Sequence, residues 1–126
     1  MVWEPIVTFI VPGQPRSKGR PRFSRQGYAY TPKTTRDAET AVLDAFELAC
    51  PLWEPTIELC RLSVDASYKG KVTGDGDNVY KLVADALQGR AYVNDKQVRK
   101  GDFEVFENAG GSAGVAVTFY IHKGES

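Results

Sequence analysis

Asp75-Gly76-Asp77-Asn78-Val79-Tyr80-Lys81-Leu82-Val83-Ala84-Asp85-Ala86-Leu87 is the stretch on which the reading of this chain turns. Val79, Leu82, Val83, Ala86 and Leu87 recur at helical spacing, so a helix over about 77–88 with one buried stripe is expected. Gly89 is placed to stop it. The same stretch carries two carboxylates, Asp75 and Asp77, where the helix starts. In an extended segment, side chains two apart point the same way, and the mutual repulsion of two close anions is relieved by a shared cation. The plainer alternative makes Asp77 an N-cap and Asp75 a turn residue. Asp77, Lys81 and Asp85 then follow at i, i+4 and i+8, either a surface ladder or a lysine reaching toward the carboxylates.

Working outward, the basic loop 69–74, with Lys69 and Lys71, precedes the pair. Before it, residues 56–68 read as a strand with Ile57, Leu59, Leu62, Val64 and Ala66 partly alternating. Residues 33–50 have a helical period, with Ala38, Ala41, Val42, Ala45, Phe46 and Ala49 on one face, Thr34 or Thr35 as cap and Pro51 as terminator. Strands are expected at 5–11, 102–107 and 114–122, and a small exposed hairpin at 23–30. The order β-α-β-α-β-β predicts an α/β (α+β) fold: one domain over 1–126, with one mixed sheet backed by two main helices.

Composition agrees with one ordinary globular domain, 42% hydrophobic and 25% charged over 126 residues. No apolar run approaches a membrane span, and the first residues lack the features of a signal peptide, so a cytoplasmic protein is expected. The zero net charge hides a polarity. Residues 1–36 hold seven Lys and Arg against Glu4 alone, a net of +6, and the rest carries −6. Arg16, Lys18, Arg20 and Arg22 fall at every second residue, which in an extended arm lines them along one side, with Arg25 shortly after. That ribbon suits a nucleic-acid backbone, and Phe23, Tyr28 and Tyr30 could stack on unpaired bases. A solvated basic loop is the plainer reading.

Other chemistries are set aside quickly. The sixth and twelfth positions of a calcium loop begun at Asp75 would be Tyr80 and Ala86, neither suitable. No phosphate-binding GxxxxGK[ST] loop exists, so no nucleotide cofactor is expected. Cys50 and Cys60 read as buried thiols, and the sole histidine, His122, has no adjacent nucleophile.

The 75–87 stretch, followed by Val93-Asn94-Asp95-Lys96-Gln97-Val98, resembles the signature of the RusA-type Holliday junction resolvases: an Asp-x-Asp-Asn-x-x-Lys helix ending in Asp-Ala-Leu, then an acidic Asp-x-Gln-Val turn. Pro12-Gly13-Gln14-Pro15, Lys18-Gly19-Arg20-Pro21-Arg22-Phe23 and Thr31-Pro32-Lys33 are similar to phage and prophage members. The resemblance implies a homodimer in a bacterial or phage-infected cell, cutting branched DNA such as four-way junctions in recombination and repair. It implies Mg²⁺, with Mn²⁺ able to substitute, held by Asp75, Asp77 and Asp95, and Lys81 as the family's lysine. Gly76 stands where a larger apolar residue can occur, which predicts a more mobile loop, and Asn94 stands where some members have a further aspartate. The competing class is a non-catalytic nucleic-acid-binding module using the basic arm, which leaves the aspartates without a role.

Overall fold

The computed structural model describes residues 2–17, 22–30, 32–107, 110 and 112–124. Its elements in chain order are β1 (Val2–Pro12), β2 (Arg22–Phe23), β3 (Ala29–Tyr30), α1 (Lys33–Ala49), β4 (Cys60–Ser67), α2 (Gly76–Leu87), a 3-10 turn (Asp95–Gln97), β5 (Val98–Phe106) and β6 (Gly114–Lys123). Four strands form one mixed sheet in the order β1-β6-β4-β5, and β2 with β3 makes the expected small hairpin. β4 and β5 run parallel, which demands a crossover, and α2 supplies it. Both prolines of β1, Pro5 and Pro12, sit on an edge strand, where a missing N–H is tolerated, and the register slips between Pro5 and Val7.

β4 organises the core because its period of two is clean. Cys60, Leu62, Val64 and Ala66 are buried under the helices, while Arg61, Ser63, Asp65 and Ser67 face the other way. β6 contributes Val115, Val117 and Phe119 to the same side. Val42 and Phe46 come from α1, and Val79, Leu82, Val83, Ala86 and Leu87 from α2. Around Phe119 the rings of Phe46, Trp53 and Tyr92 lie 6.3, 5.6 and 6.3 Å away, centroid to centroid. On the open face Arg61 stacks over Tyr120 and binds Asp102, which also accepts from Ser63 Oγ.

Several expectations shift. The expected strand from residue 56 starts at Cys60 instead, because Gln97 takes the carbonyls of Thr56 and Glu58 and removes them from ladder pairing. Ile57 is left exposed. Neither Thr34 nor Thr35 caps α1: the helix starts earlier, Pro32 holds the cap position, and no side chain caps it. Ala41 and Ala49 stay exposed, so the buried face of α1 is narrower than its alanine pattern. β5 begins at Val98, four residues ahead of its expected start. Cys60 is buried and Cys50 half-buried, both unpaired. His122 rests edge-to-face on Trp3 at 5.8 Å, on the open face of the sheet. Among the described residues no helix is long and apolar enough to cross a membrane.

Candidate active site

Asp75, not Asp77, is the N-cap of α2. Its backbone is extended (φ −90°, ψ 123°), and its Oδ1 accepts the Asp77 N–H at 3.1 Å. A capping carboxylate also suits the positive end of the helix dipole. Asp77 lies in the first turn, so the pair is adjacent through cap geometry rather than through the pleat of a strand. Lys81 Nζ bonds Asp77 Oδ2 at 3.1 Å, one turn on. Both partners are more than half exposed, so the pair adds only about 0.3–0.5 kcal/mol to the helix. Asp85 follows on the same line, half-buried.

Gly76 is not in a mobile loop. It is buried as the first residue of α2, and a Cβ there would meet two Phe103 ring carbons and Val105 Cγ2, all at 2.7 Å. Glycine lets the helix end lie directly on β5. Farther along, a Cβ on Gly101 would strike the Tyr80 ring. Thus β5 runs antiparallel to α2, its residue 101 near Tyr80 and its residues 103 and 105 near residue 76.

Asp95 stands at the other end. It opens the 3-10 turn, and its N–H bonds Oε1 of Gln88, the C-cap residue of α2, at 3.1 Å. Twelve helical residues at 1.5 Å each separate the two ends by about 18 Å. Among the described residues no group of three or more His, Cys, Asp or Glu is close enough to hold a metal ion. One chain therefore brings Asp75, Asp77 and Lys81 together and leaves Asp95 apart. Asn94, meanwhile, has a local job: its Oδ1 caps the turn by accepting the Lys96 N–H at 2.9 Å. Gln97 closes the box, accepting from Asn94 N and Val93 N at 2.8 and 3.0 Å.

The basic residues divide. Arg16, Arg25, Lys69 and Lys71 are exposed. Arg25 lies in the hairpin turn between β2 and β3. Lys18 and Arg20 lie outside the described residues, and of Arg22 only the backbone is described. Sequence reasoning missed what ties the arm to the site. The Gln14 amide clasps the Lys69 backbone on both sides, accepting from its N–H at 2.7 Å and donating to its carbonyl at 3.3 Å. Arg16 and Ser17 line a cavity with Thr34, Thr73 and Gly74, the residue before Asp75. The beginnings of α1 and α2 thus share one end of the molecule with the exits of β1 and β4. The first turn of α1 holds no acidic residue, so its positive end is not neutralised locally. Beside Gly74, the Tyr68 hydroxyl is buried with no partner among the described residues, and burial, then the Asp75 charge, pushes its pKa up. The only sequence signal for that contact was a tyrosine closing a buried strand.

A family model described as Endodeoxyribonuclease RusA matches residues 12–120. No curated protein matches the chain.

Proposed function

The chain belongs to the RusA endodeoxyribonuclease family, and from that membership we propose that it nicks branched DNA, four-way junctions foremost, as a two-fold symmetric dimer acting in the cytoplasm. The observation that carries the reading is the end of α2, where Asp75, Asp77 and Lys81 meet beside an Arg16-lined cavity. Two helix N-termini and exposed Arg16, Lys69 and Lys71 make that end attractive to a phosphate backbone.

Two adjacent carboxylates leave most of a Mg²⁺ shell to water and substrate phosphate, and Asp95 stands too far away to add to them in the same chain. A second copy packed with its α2 antiparallel to the first would bring its own Asp95 to the Asp75 end. The two-fold operator would then build two equal sites, matching the two opposed strands that resolution must cut. Mg²⁺, or Mn²⁺ in its place, would supply phosphate polarisation and an acidified water when bound. Asp75 and Asp77 would hold the cation with the partner's carboxylate. Lys81, on binding DNA, would turn from Asp77 toward a non-bridging phosphate oxygen and offset charge developing there.

A labelled four-way junction incubated with Mg²⁺ tests this directly. Paired nicks at the crossover are expected, with linear duplex cut far less. Asp75→Asn, Asp77→Asn and Asp95→Asn should each slow cutting by about a hundredfold or more while leaving the DNA bound, since about 2.7 kcal/mol of transition-state stabilisation equals two decades. Junctions left intact by the unaltered protein, or cut at near-native rates by Asp75→Asn, would overturn the reading.

A further inference from the structure

A cavity of about 330 Å³ opens between the end of β1, the start of α1 and the inner stripe of α2. Its walls are largely aliphatic, with Pro12, Pro15, Ala41, Val42, Val79 and Leu82 among them, and no aromatic ring among the described residues lines it. Its volume lies at the small end of ligand pockets, which run from roughly 300 to 1,000 Å³. Polar groups come from Gln14, whose amide is already engaged by Lys69, and from Arg16 and Asp37, both exposed. An aliphatic slot with one carboxylate and one guanidinium beside it is built for a flat ring with polar edges.

This cavity continues toward the catalytic end. Pro15 and Arg16 line it and also line the second cavity, of about 370 Å³, which reaches Gly74. Ser17 Oγ and Tyr68 OH both end beside Gly74, buried and, among the described residues, without hydrogen-bond partners. A strand with its phosphate at Asp75 therefore lies beside the Arg16-lined cavity and, past Arg16 and Pro15, reaches the apolar slot.

We propose that the slot receives one unpaired nucleobase of that strand, turned out of the stack at the branch point. The inference rests on the nuclease reading above. Turning a base out costs least where it is already poorly stacked or unpaired, which describes a crossover. In the slot the ring lies between proline and valine side chains. Asp37 accepts from an exocyclic amino group and Arg16 donates to a ring nitrogen or carbonyl. Thymine lacks the amino group, so the slot discriminates against it.

The base analogue 2-aminopurine, placed in turn at each nucleotide flanking the cut, tests this. It is dark when stacked and bright when extruded into a slot without aromatic walls. Junction bound to the Asp75→Asn protein, or to the unaltered protein without divalent metal, should brighten several-fold at one position only. Ala41→Phe, at an exposed position of α1, should fill the slot, abolish the brightening and slow cutting about tenfold or more. Asp37→Ala, which empties rather than fills, should instead erase the discrimination against thymine at that nucleotide. A dark signal at every position in a protein that binds and cuts would overturn the slot, as would undiminished brightening in Ala41→Phe together with unchanged base preference in Asp37→Ala. Brightening on branched DNA that is never cut would keep the slot and remove the nuclease reading.

Discussion

Gln97 shows how much one side chain decides. Its carboxamide accepts from Val93 and Asn94 and donates to the carbonyls of Thr56 and Glu58, at 2.7 and 2.9 Å for the latter pair. It thereby fixes where β4 begins and where Asp95 stands. Gln97→Ala should cost about 2–3 kcal/mol, since several backbone groups lose partners at once. A lowered melting temperature with cutting reduced beyond the loss of folded protein is expected; an unchanged melt would show the turn holding without it. Cys60 makes a different residue-scale claim. Its thiol donates to Glu58 O, and burial, with the Glu58 charge second, pushes its pKa from 9.0 up to about 11. Burial first, then Asp102, likewise pushes Tyr80 up to about 12. Below pH 9 both folded and unfolded chains keep these protons. Above it the unfolded chain releases them first, so stability falls as pH rises toward 11 and beyond. Melting temperatures measured from pH 8 to 11 should decline, and a flat profile would mean the thiol reaches water in the folded state.

At the scale of elements, α2 was the most legible part of the sequence. Its buried stripe of Val79, Leu82, Val83, Ala86 and Leu87 is the observed one, because an amphipathic period is a local property. The mixed sheet followed from element order, since a strand, crossover helix and strand leave few arrangements. Boundaries set by distant side chains could not be read. The start of β4 depends on Gln97, about forty residues away in sequence. Asp77 as the cap of α2 is the plainer alternative in the sequence, and Asp75 takes that place instead, because the two aspartates look equivalent until the backbone distinguishes them. Gly76 is a packed contact rather than the source of mobility that its sequence position predicts, since a sequence does not show that Phe103 lies against it. Gly76→Ala tests that contact. The added methyl meets Phe103 and Val105 at 2.7 Å, and relief requires the half-exposed Phe103 to swing or α2 to lift. Destabilisation of about 1–3 kcal/mol is expected. A larger fractional loss of cutting should accompany it, because the residues lifted are those beside Asp75 and Asp77. Crystals of the variant showing an unmoved helix end and full activity would contradict the account.

For the whole molecule, the proposed site raises the question of how Asp95 would join Asp75 and Asp77, about 18 Å from it along α2. In the sequence the three aspartates look like one cluster. In the fold, the helix between them acts as a spacer, and β5, antiparallel to it, keeps the ends apart. Closing the gap within one chain would require unfolding the 3-10 turn and breaking the bonds of Gln97, whereas the proposed symmetric partner would leave both in place. Complementation separates the two. If each site takes Asp75 and Asp77 from one copy and Asp95 from the other, then a mixed dimer of Asp75→Asn and Asp95→Asn chains concentrates both substitutions in one site. Its second site is then wholly native. Random exchange at equal concentrations makes about half the dimers mixed. Two inactive proteins, mixed and allowed to exchange, should therefore regain single-strand nicking of a four-way junction, though not the paired nicks of resolution. Asp75→Asn mixed with Asp77→Asn should regain less: both substitutions fall in the same half of the site, and each of the two sites in that mixed dimer carries one. Silence from both mixtures, with subunit exchange verified by mass, would place all three aspartates of a site on one chain.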